Sequence, residues 1–258
     1  MTNKIALITG ASAGIGYELA KLFAAAKHRV VLVARRADRL QTLADEIVSA
    51  GGEKPIIIAC DLATPGAADS IAQTLKDEQV EIEYLVNNAG FGLLGSVFRL
   101  DRREQIAMID LNVRALTDLC LCFADQLIRN KGGILNVGSL AGFLPGPRMA
   151  IYYASKAFVV SFSEAIHTEF RKQGVRVTVL CPGPVPTEFQ ARAGMAPGMN
   201  NEVMNVSAVK VAKQGFDGLM AGKRLVIPGA GMTMVPLVLR FVPKAALLKL
   251  IYKTQNAR

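Results

Sequence analysis

The sequence has no tryptophan, only two histidines and four cysteines in 258 residues, and no acidic residue after Asp217. Each scarcity excludes something. His28 and His167 have no partners at the spacing of a metal site or a nucleophile–histidine–acid relay, so they read as surface or helix-packing residues. The cysteines stand at 60, 120, 122 and 181, without paired-ligand spacing. Cys120 and Cys122 are two apart in a helix-like stretch and face different ways. Reduced core thiols are therefore expected, with neither a disulfide framework nor a metal. The longest uncharged stretch near the end, Leu225 to Leu239, contains Pro228, Gly229, Gly231 and Pro236. It is too short and too broken to span a bilayer as a helix. The chain opens almost at once on a strand-like run, Lys4 to Ile8, which leaves no room for a signal peptide and predicts a cytoplasmic location.

Positive charge is unevenly placed. Lys223, Arg224, Arg240, Lys244, Lys249, Lys253 and Arg258 supply most of the net charge of +9. The rest of the chain is close to neutral, which argues against a nucleic-acid-binding domain. With 51% apolar and 20% charged residues the composition is that of a globular protein. The length sits near the upper limit for one domain with a single large core.

Short β-branched runs alternate with longer amphipathic ones. The runs predict strands over 4–9, 29–34, 55–60, 82–87, 132–138, 175–181 and 225–228. Helices are predicted over 14–27, 37–50, 65–78, 101–129, 150–173 and 206–221, with Thr64 as N-cap and Pro65 in the first turn of the third. Near-continuous apolar strands separated by helices imply a mainly parallel sheet covered on both faces. The reading is a single doubly wound α/β domain of the Rossmann type with seven strands, spanning 1–230. Residues 231–258 form a basic tail. In it Pro243 would start a short helix with Leu247, Leu248 and Ile251 on one side and Lys249 and Lys253 opposite, suited to a membrane surface or a partner subunit.

Two motifs carry chemistry. Thr9-Gly-Ala-Ser-Ala-Gly-Ile-Gly16 follows the first strand and leads into a helix. Gly10, Gly14 and Gly16 permit a tight turn, close backbone approach and helix–strand packing, and the free amides at the helix start attract a pyrophosphate. The spacing is G-x-x-x-G-x-G rather than the commoner G-x-G-x-x-G. The second motif is Tyr152-Tyr-Ala-Ser-Lys156, with Ser139 thirteen residues before its first tyrosine. Tyr152 and Lys156 are four apart and share a helix face, whereas Tyr153 projects about 100° away and is read as pocket wall. A cation beside a phenol lowers the phenol's pKa and lets it trade protons nearer neutrality.

Together these motifs resemble the short-chain dehydrogenase/reductase family, and the resemblance covers about residues 4 to 230. Asn87-Asn88-Ala89-Gly90 after the fourth strand is similar to the family's N-N-A-G segment. Asn112-Val113 matches the asparagine of its long central helix, and Pro182-Gly183 with Thr187 matches its P-G-x-x-x-T. The resemblance implies NAD(P) held by Gly10, Ser12, Gly14, Ile15, Gly16, Asn88, Ala89, Gly90, Tyr152, Lys156, Pro182, Gly183, Val185 and Thr187. Asp61-Leu62 resembles the pair that contacts adenine, or else Asp61 is a turn aspartate. The second strand ends in Ala34, where an NAD enzyme usually places an acid, and Arg35-Arg36 follow. Two guanidiniums there can grip a 2′-phosphate, which selects NADP(H).

The implied roles are Tyr152 as general acid and base, Lys156 lowering its pKa and binding the nicotinamide ribose, Ser139 steadying the substrate oxygen and Asn112 holding a relay water. The implied reaction is hydride transfer between NADP(H) and a carbonyl or alcohol, with a homodimer or homotetramer built on the long helices. The segment 184–205 is the variable substrate loop. Its Phe189, Met195, Met199 and Met204, with Phe91, Leu93, Leu94, Phe143 and Met149, suggest an apolar ketone or aldehyde. The competing readings are epimerisation or dehydration on the same frame, against which the compact length and intact Tyr/Lys/Ser set argue, and a non-catalytic NADP(H)-binding regulatory or scaffold protein, which would have lost the catalytic residues.

Overall fold

The computed structural model describes residues 5–195, 206–229, 231–239 and 241–256. Seven strands form: β1 (Ile5–Thr9), β2 (Arg29–Ala34), β3 (Ile56–Ala59), β4 (Tyr84–Asn87), β5 (Gly133–Val137), β6 (Arg176–Leu180) and β7 (Leu225–Val226). They lie in the order β3-β2-β1-β4-β5-β6-β7, and every ladder is parallel. Alternation along β1 decides the layers. Ile5 and Leu7 face one side, with the helices α3 (Ala67–Asp77), α5 (Leu116–Cys122), α6 (Ala124–Arg129) and α7 (Ala150–Arg171). Ala6 and Ile8 face the other, with α1 (Gly14–Ala25), α2 (Ala37–Ser49) and α9 (Ala208–Met220). Both faces of a parallel sheet are thereby buried, which is why the strands read as unbroken apolar runs. The order reverses between β1 and β4, so the loops after these two strands splay to opposite sides and leave a crevice at the C-terminal edge.

Two details differ from the sequence reading. The stretch expected as one helix over 101–129 is α4 (Arg102–Ile109), a π-helical segment (Asp110–Ala115), α5 and α6, with a break at Phe123. The third helix is not capped by Thr64. Its N-cap is Gly66 at φ 77°, because Thr64 Oγ1 donates instead to the Asp61 carbonyl and Asp61 Oδ1 accepts from the Ala63 amide. His28 takes the packing alternative, buried edge-on against Phe23 of α1 at 5.5 Å and Tyr84 at 5.1 Å between ring centres.

After β6 come α8 (Glu188–Arg192) and, past β7, α10 (Val235–Leu239) and α11 (Lys244–Asn256). Pro243 does precede α11, but the helix turns Ile251 inward and leaves Leu248 exposed beside Lys249 and Lys253. Of the expected apolar side, Ile251 is buried, Leu247 half-buried and Leu248 exposed. Met234, Leu237, Val238 and Phe241 around α10, and Leu250 and Tyr252 on α11, are exposed as well. Met199 and Met204 lie outside the described residues. Among the described residues, no helix is long and apolar enough to cross a membrane, and no cluster of His, Cys, Asp or Glu could hold a metal.

Candidate active site

A cleft of about 670 Å³ runs along the crevice between the β1 and β4 loops. That volume is within the range of small-molecule sites. One end is made by the glycine loop. Gly10 and Gly14 take φ of +65° and +60°, a conformation that L side chains rarely adopt. Gly16 is required for a different reason: a Cβ there would collide with Asn88 Nδ2 and with the Gly10 carbonyl. Asn88 Nδ2 donates to the carbonyls of Thr9 (2.9 Å) and Gly10 (3.2 Å). Thr9 Oγ1 accepts from the amides of Asn88 (2.9 Å) and Ala89 (3.1 Å) and donates to the Val86 carbonyl at 3.1 Å. These bonds clamp the β1 loop to the β4 loop. The N-cap of α1, Ala13, offers no side-chain acceptor, so the first-turn amides are uncapped where the helix meets the cleft. A positive helix end, an uncapped turn and a floor without side chains together fit a pyrophosphate.

Arg35 and Arg36 flank this end with Ser12, Asp61 and Leu62. Arg36 is engaged, hydrogen-bonding Ser12 Oγ at 3.1 Å and pairing with Glu188 at 2.8 Å. Of the sequence-predicted set, Gly10, Ser12, Gly14, Ile15, Arg35, Arg36, Asp61, Leu62, Asn88, Ala89, Gly90, Pro182, Gly183, Val185 and Thr187 line the cleft. Gly16 and Asn112 do not; both are buried beneath it.

The other end holds Ser139, Tyr152 and Lys156. The residues 139 and 152–156 come from adjacent elements because Ser139, two residues past β5, is in extended backbone and caps the short 3-10 turn Leu140–Phe143, on which α7 packs. Ser139 Oγ accepts from the Ala141 amide at 3.1 Å and shares a hydrogen bond with the Tyr152 hydroxyl. Burial pushes the Tyr152 phenol up to about 12, and the Ser139 bond only partly opposes it. Burial likewise brings Lys156 down to about 8. The expected depression of the tyrosine by the lysine is therefore not produced by the protein alone. Lys156 Nζ instead donates to the Val137 carbonyl at 2.8 Å and stands 6.0 Å from the Tyr152 ring centre.

Asn112 is held through both atoms of its side-chain amide. Its Oδ1 accepts from the Phe91 amide at 3.1 Å, and its Nδ2 donates to the Phe91 carbonyl and Ser155 Oγ, each at 3.0 Å. These bonds fasten the β4 loop to Asn112 and tie Asn112 to α7. The π-helical segment carries it there.

Phe91, Leu144, Met149, Tyr153, Phe189, Met195 and Val235 wall the cleft beyond Tyr152. Phe91, Met149, Phe189 and Met195 were expected; Leu93, Leu94 and Phe143 lie outside the lining. Sequence reading missed Leu144, Val235 and the Glu188 carboxylate. None belongs to a motif, and Val235 comes from the tail. Arg192 also lines the wall, ion-paired with Glu104 at 2.7 Å and 4.6 Å from the Phe91 ring centre.

This geometry agrees with comparisons to known proteins. The chain is 40% identical over 186 residues to a sulfoacetaldehyde reductase of Chromohalobacter salexigens, covering 70% of this chain and 72% of that protein. It superposes on a short-chain dehydrogenase from Sphingobium yanoikuyae in complex with NADPH with a TM-score of 0.83 at 31% identity, covering 95% of each chain. A bulky-bulky ketone specific alcohol dehydrogenase from Comamonas testosteroni matches with a TM-score of 0.78 at 27% identity, over 95% of this chain and 97% of that one. The family model for short chain dehydrogenases matches residues 4–197, and the chain belongs to that family.

Proposed function

We propose that the protein is an NADP(H)-dependent oxidoreductase that reduces an apolar ketone or aldehyde, or oxidises the matching alcohol. The observation that carries this reading is one cleft joining a glycine cradle and two arginines to a Ser139–Tyr152 hydrogen bond beside Lys156. The bound dinucleotide would supply or accept the hydride. The glycine-loop amides would hold its pyrophosphate and Arg35 and Arg36 its 2′-phosphate. With a pKa near 12 the Tyr152 phenol keeps its proton at neutral pH, the form a general acid must have to protonate a carbonyl oxygen. Ser139 stands beside it as a second donor to that oxygen. Lys156, close to 8, exchanges protons readily near neutrality and can return one to the phenolate.

The apolar substrate is supported by the wall. Arg192 is its one charged side chain beyond Tyr152 among the described residues, and Glu104 already neutralises it. A small sulfonated aldehyde, the substrate class named for the Chromohalobacter relative, would have to break that pair. The test is nicotinamide absorbance with a panel of apolar ketones and aldehydes beside a sulfonated aldehyde, using NADPH and NADH. Turnover of apolar carbonyls with NADPH is expected. Tight NADPH binding without turnover of any carbonyl would favour the non-catalytic reading.

The same reading includes a cytoplasmic homo-oligomer and a peripheral contact of residues 231–258 with anionic membrane. Exposed Ile106, Ile109, Leu121 and Phe158 on α4, α5 and α7 support self-association. Exposed Leu237, Val238 and Phe241, followed by lysines with no acid among them, support the membrane contact. Sizing by light scattering and flotation of wild type and Phe241→Glu with phosphatidylglycerol vesicles test these. A monomer, or equal flotation of both forms, would remove the corresponding part.

A further inference from the structure

The two arginines after β2 are in different states. Arg35 makes no hydrogen bond or ion pair among the described residues, while Arg36 is held from two sides. Ser12 belongs to the glycine loop, and Glu188 is the first residue of α8, far along the chain. The pair thus bridges the cleft mouth from the end of β2 to the segment after β6. The start of α8 is close to the glycine loop in a second way: a Cβ on Gly14 would meet Thr187 Cγ2 at 3.0 Å. Past Glu188, the same short helix gives Phe189, Gln190 and Arg192 to the substrate wall.

We propose that Glu188 is the resident anion of Arg36, displaced by the ribose 2′-phosphate, so that phosphate recognition is coupled to release of α8. The inference rests on the reading that these arginines receive that phosphate. A phosphate monoester brings close to two negative charges and three acceptor oxygens against the single charge of a carboxylate. Both anions on one guanidinium would repel each other, so the better ligand takes it. The Arg36–Glu188 pair is about half exposed on each side, 42% and 53%, and exposed pairs are weak enough to exchange. NADH, with a free 2′-hydroxyl, would leave the bridge in place. Glu188 therefore sets how strongly NADPH is preferred and passes the difference to the substrate wall.

The experiment is calorimetry of NADPH and NADH on wild type, Glu188→Gln and Arg36→Ala, with hydrogen exchange of residues 188–193. Glu188→Gln should tighten NADPH about three- to tenfold, by removing the competitor and its like charge, and leave NADH within about twofold. NADPH should speed exchange in α8 relative to NADH in wild type, and the two should act alike in Glu188→Gln. Unchanged or weaker NADPH binding in Glu188→Gln, with Arg36→Ala still impairing it, would overturn the coupling alone. Unchanged NADPH binding in Arg36→Ala would overturn the phosphate reading and the coupling with it.

Discussion

Lys156 stands in the core as a cation, and replacing it with methionine should make the cofactor-free protein more stable while ending turnover. Its side chain is 6% exposed, and burial lowers its pKa from 10.5 to about 8. At roughly 1.4 kcal/mol per pH unit, keeping it charged at pH 7 costs at most about 3 kcal/mol. Methionine has nearly the same length and no charge. It forfeits the bond to the Val137 carbonyl, which returns about 1 kcal/mol of that gain. A net stabilisation of about 2 kcal/mol remains, equivalent to roughly 4–8 °C in Tm for a chain of this size. The pH dependence fixes the sign. Between about 8 and 10.5 the unfolded chain binds the lysine proton and the folded protein does not, so wild-type stability relative to the variant rises with pH through that window. The gap in Tm should be full at pH 7 and small by pH 10. Thermal unfolding by circular dichroism at both pH values, without cofactor, measures it. A lower Tm for Lys156→Met at pH 7, or a gap that does not change with pH, would refute the buried-cation reasoning.

Tyr152→Phe should lower kcat by about two to four orders of magnitude, the usual contribution of a positioned proton donor, and leave NADPH affinity by calorimetry close to wild type. An equal loss in both would mean that the tyrosine holds the cofactor rather than the proton. Gly16→Ala should destabilise by about 2–3 kcal/mol in denaturant unfolding, because its Cβ displaces Asn88 Nδ2 and breaks the bonds to Thr9 and Gly10. Its NADPH binding should weaken at least about tenfold, since the loop that would hold the pyrophosphate is the part displaced.

What could be read in the sequence was local. The strands announced themselves because both sheet faces are covered, which makes most strand positions apolar. The glycine loop and the Tyr152/Lys156 pair follow from contiguous residues whose geometry a turn or a helix dictates. What could not be read depends on where distant segments meet. Arg36 could be singled out from its place after β2, but its pairing with Glu188 cannot be read until β2 and the post-β6 segment are brought to one crevice. The break at Phe123 has no glycine or proline to mark it, and the π-helical turn before it is legible only through the bonds Asn112 makes. Thr64 was a good N-cap by type, but Asp61 offered its hydroxyl a carbonyl three residues back, and the helix began later. In the protein alone, burial outweighs any lowering of the Tyr152 pKa by Lys156. Spacing puts the two on one face, but burial raises the cost of charge on both, and the ammonium finds a backbone carbonyl nearer than the phenol.

The cleft's two ends are joined by more than proximity. Thr9, the last residue of β1, spends its hydroxyl on β4 and its loop, while Asn88 returns two bonds to Thr9 and Gly10. Two residues further on, a Cβ at Gly90 would stand 2.9 Å from Asn112 Oδ1 and 3.5 Å from Lys156 Nζ. A continuous set of contacts thus runs from the glycine loop through Asn88 and Gly90 to Lys156. In the next layer Asn87 Nδ2 donates to Asn136 Oδ1 and Asn136 Nδ2 to Ser163 Oγ, each at 2.9 Å, tying β4 to β5 and α7. Buried polar chains of this kind stabilise only when they are satisfied, and they then hold one arrangement rather than several. Asn87 keeps one oxygen without a partner, and Lys156 keeps its charge in the core, so both lie on the unfavourable side of the stability balance. Such strain is tolerated where it positions reacting groups. Fastening the loops at the strand switch leaves α8, joined to the cleft by two exposed ion pairs and by the Phe189–Tyr152 and Arg192–Phe91 contacts, as the element that the proposed exchange at Arg36 would shift.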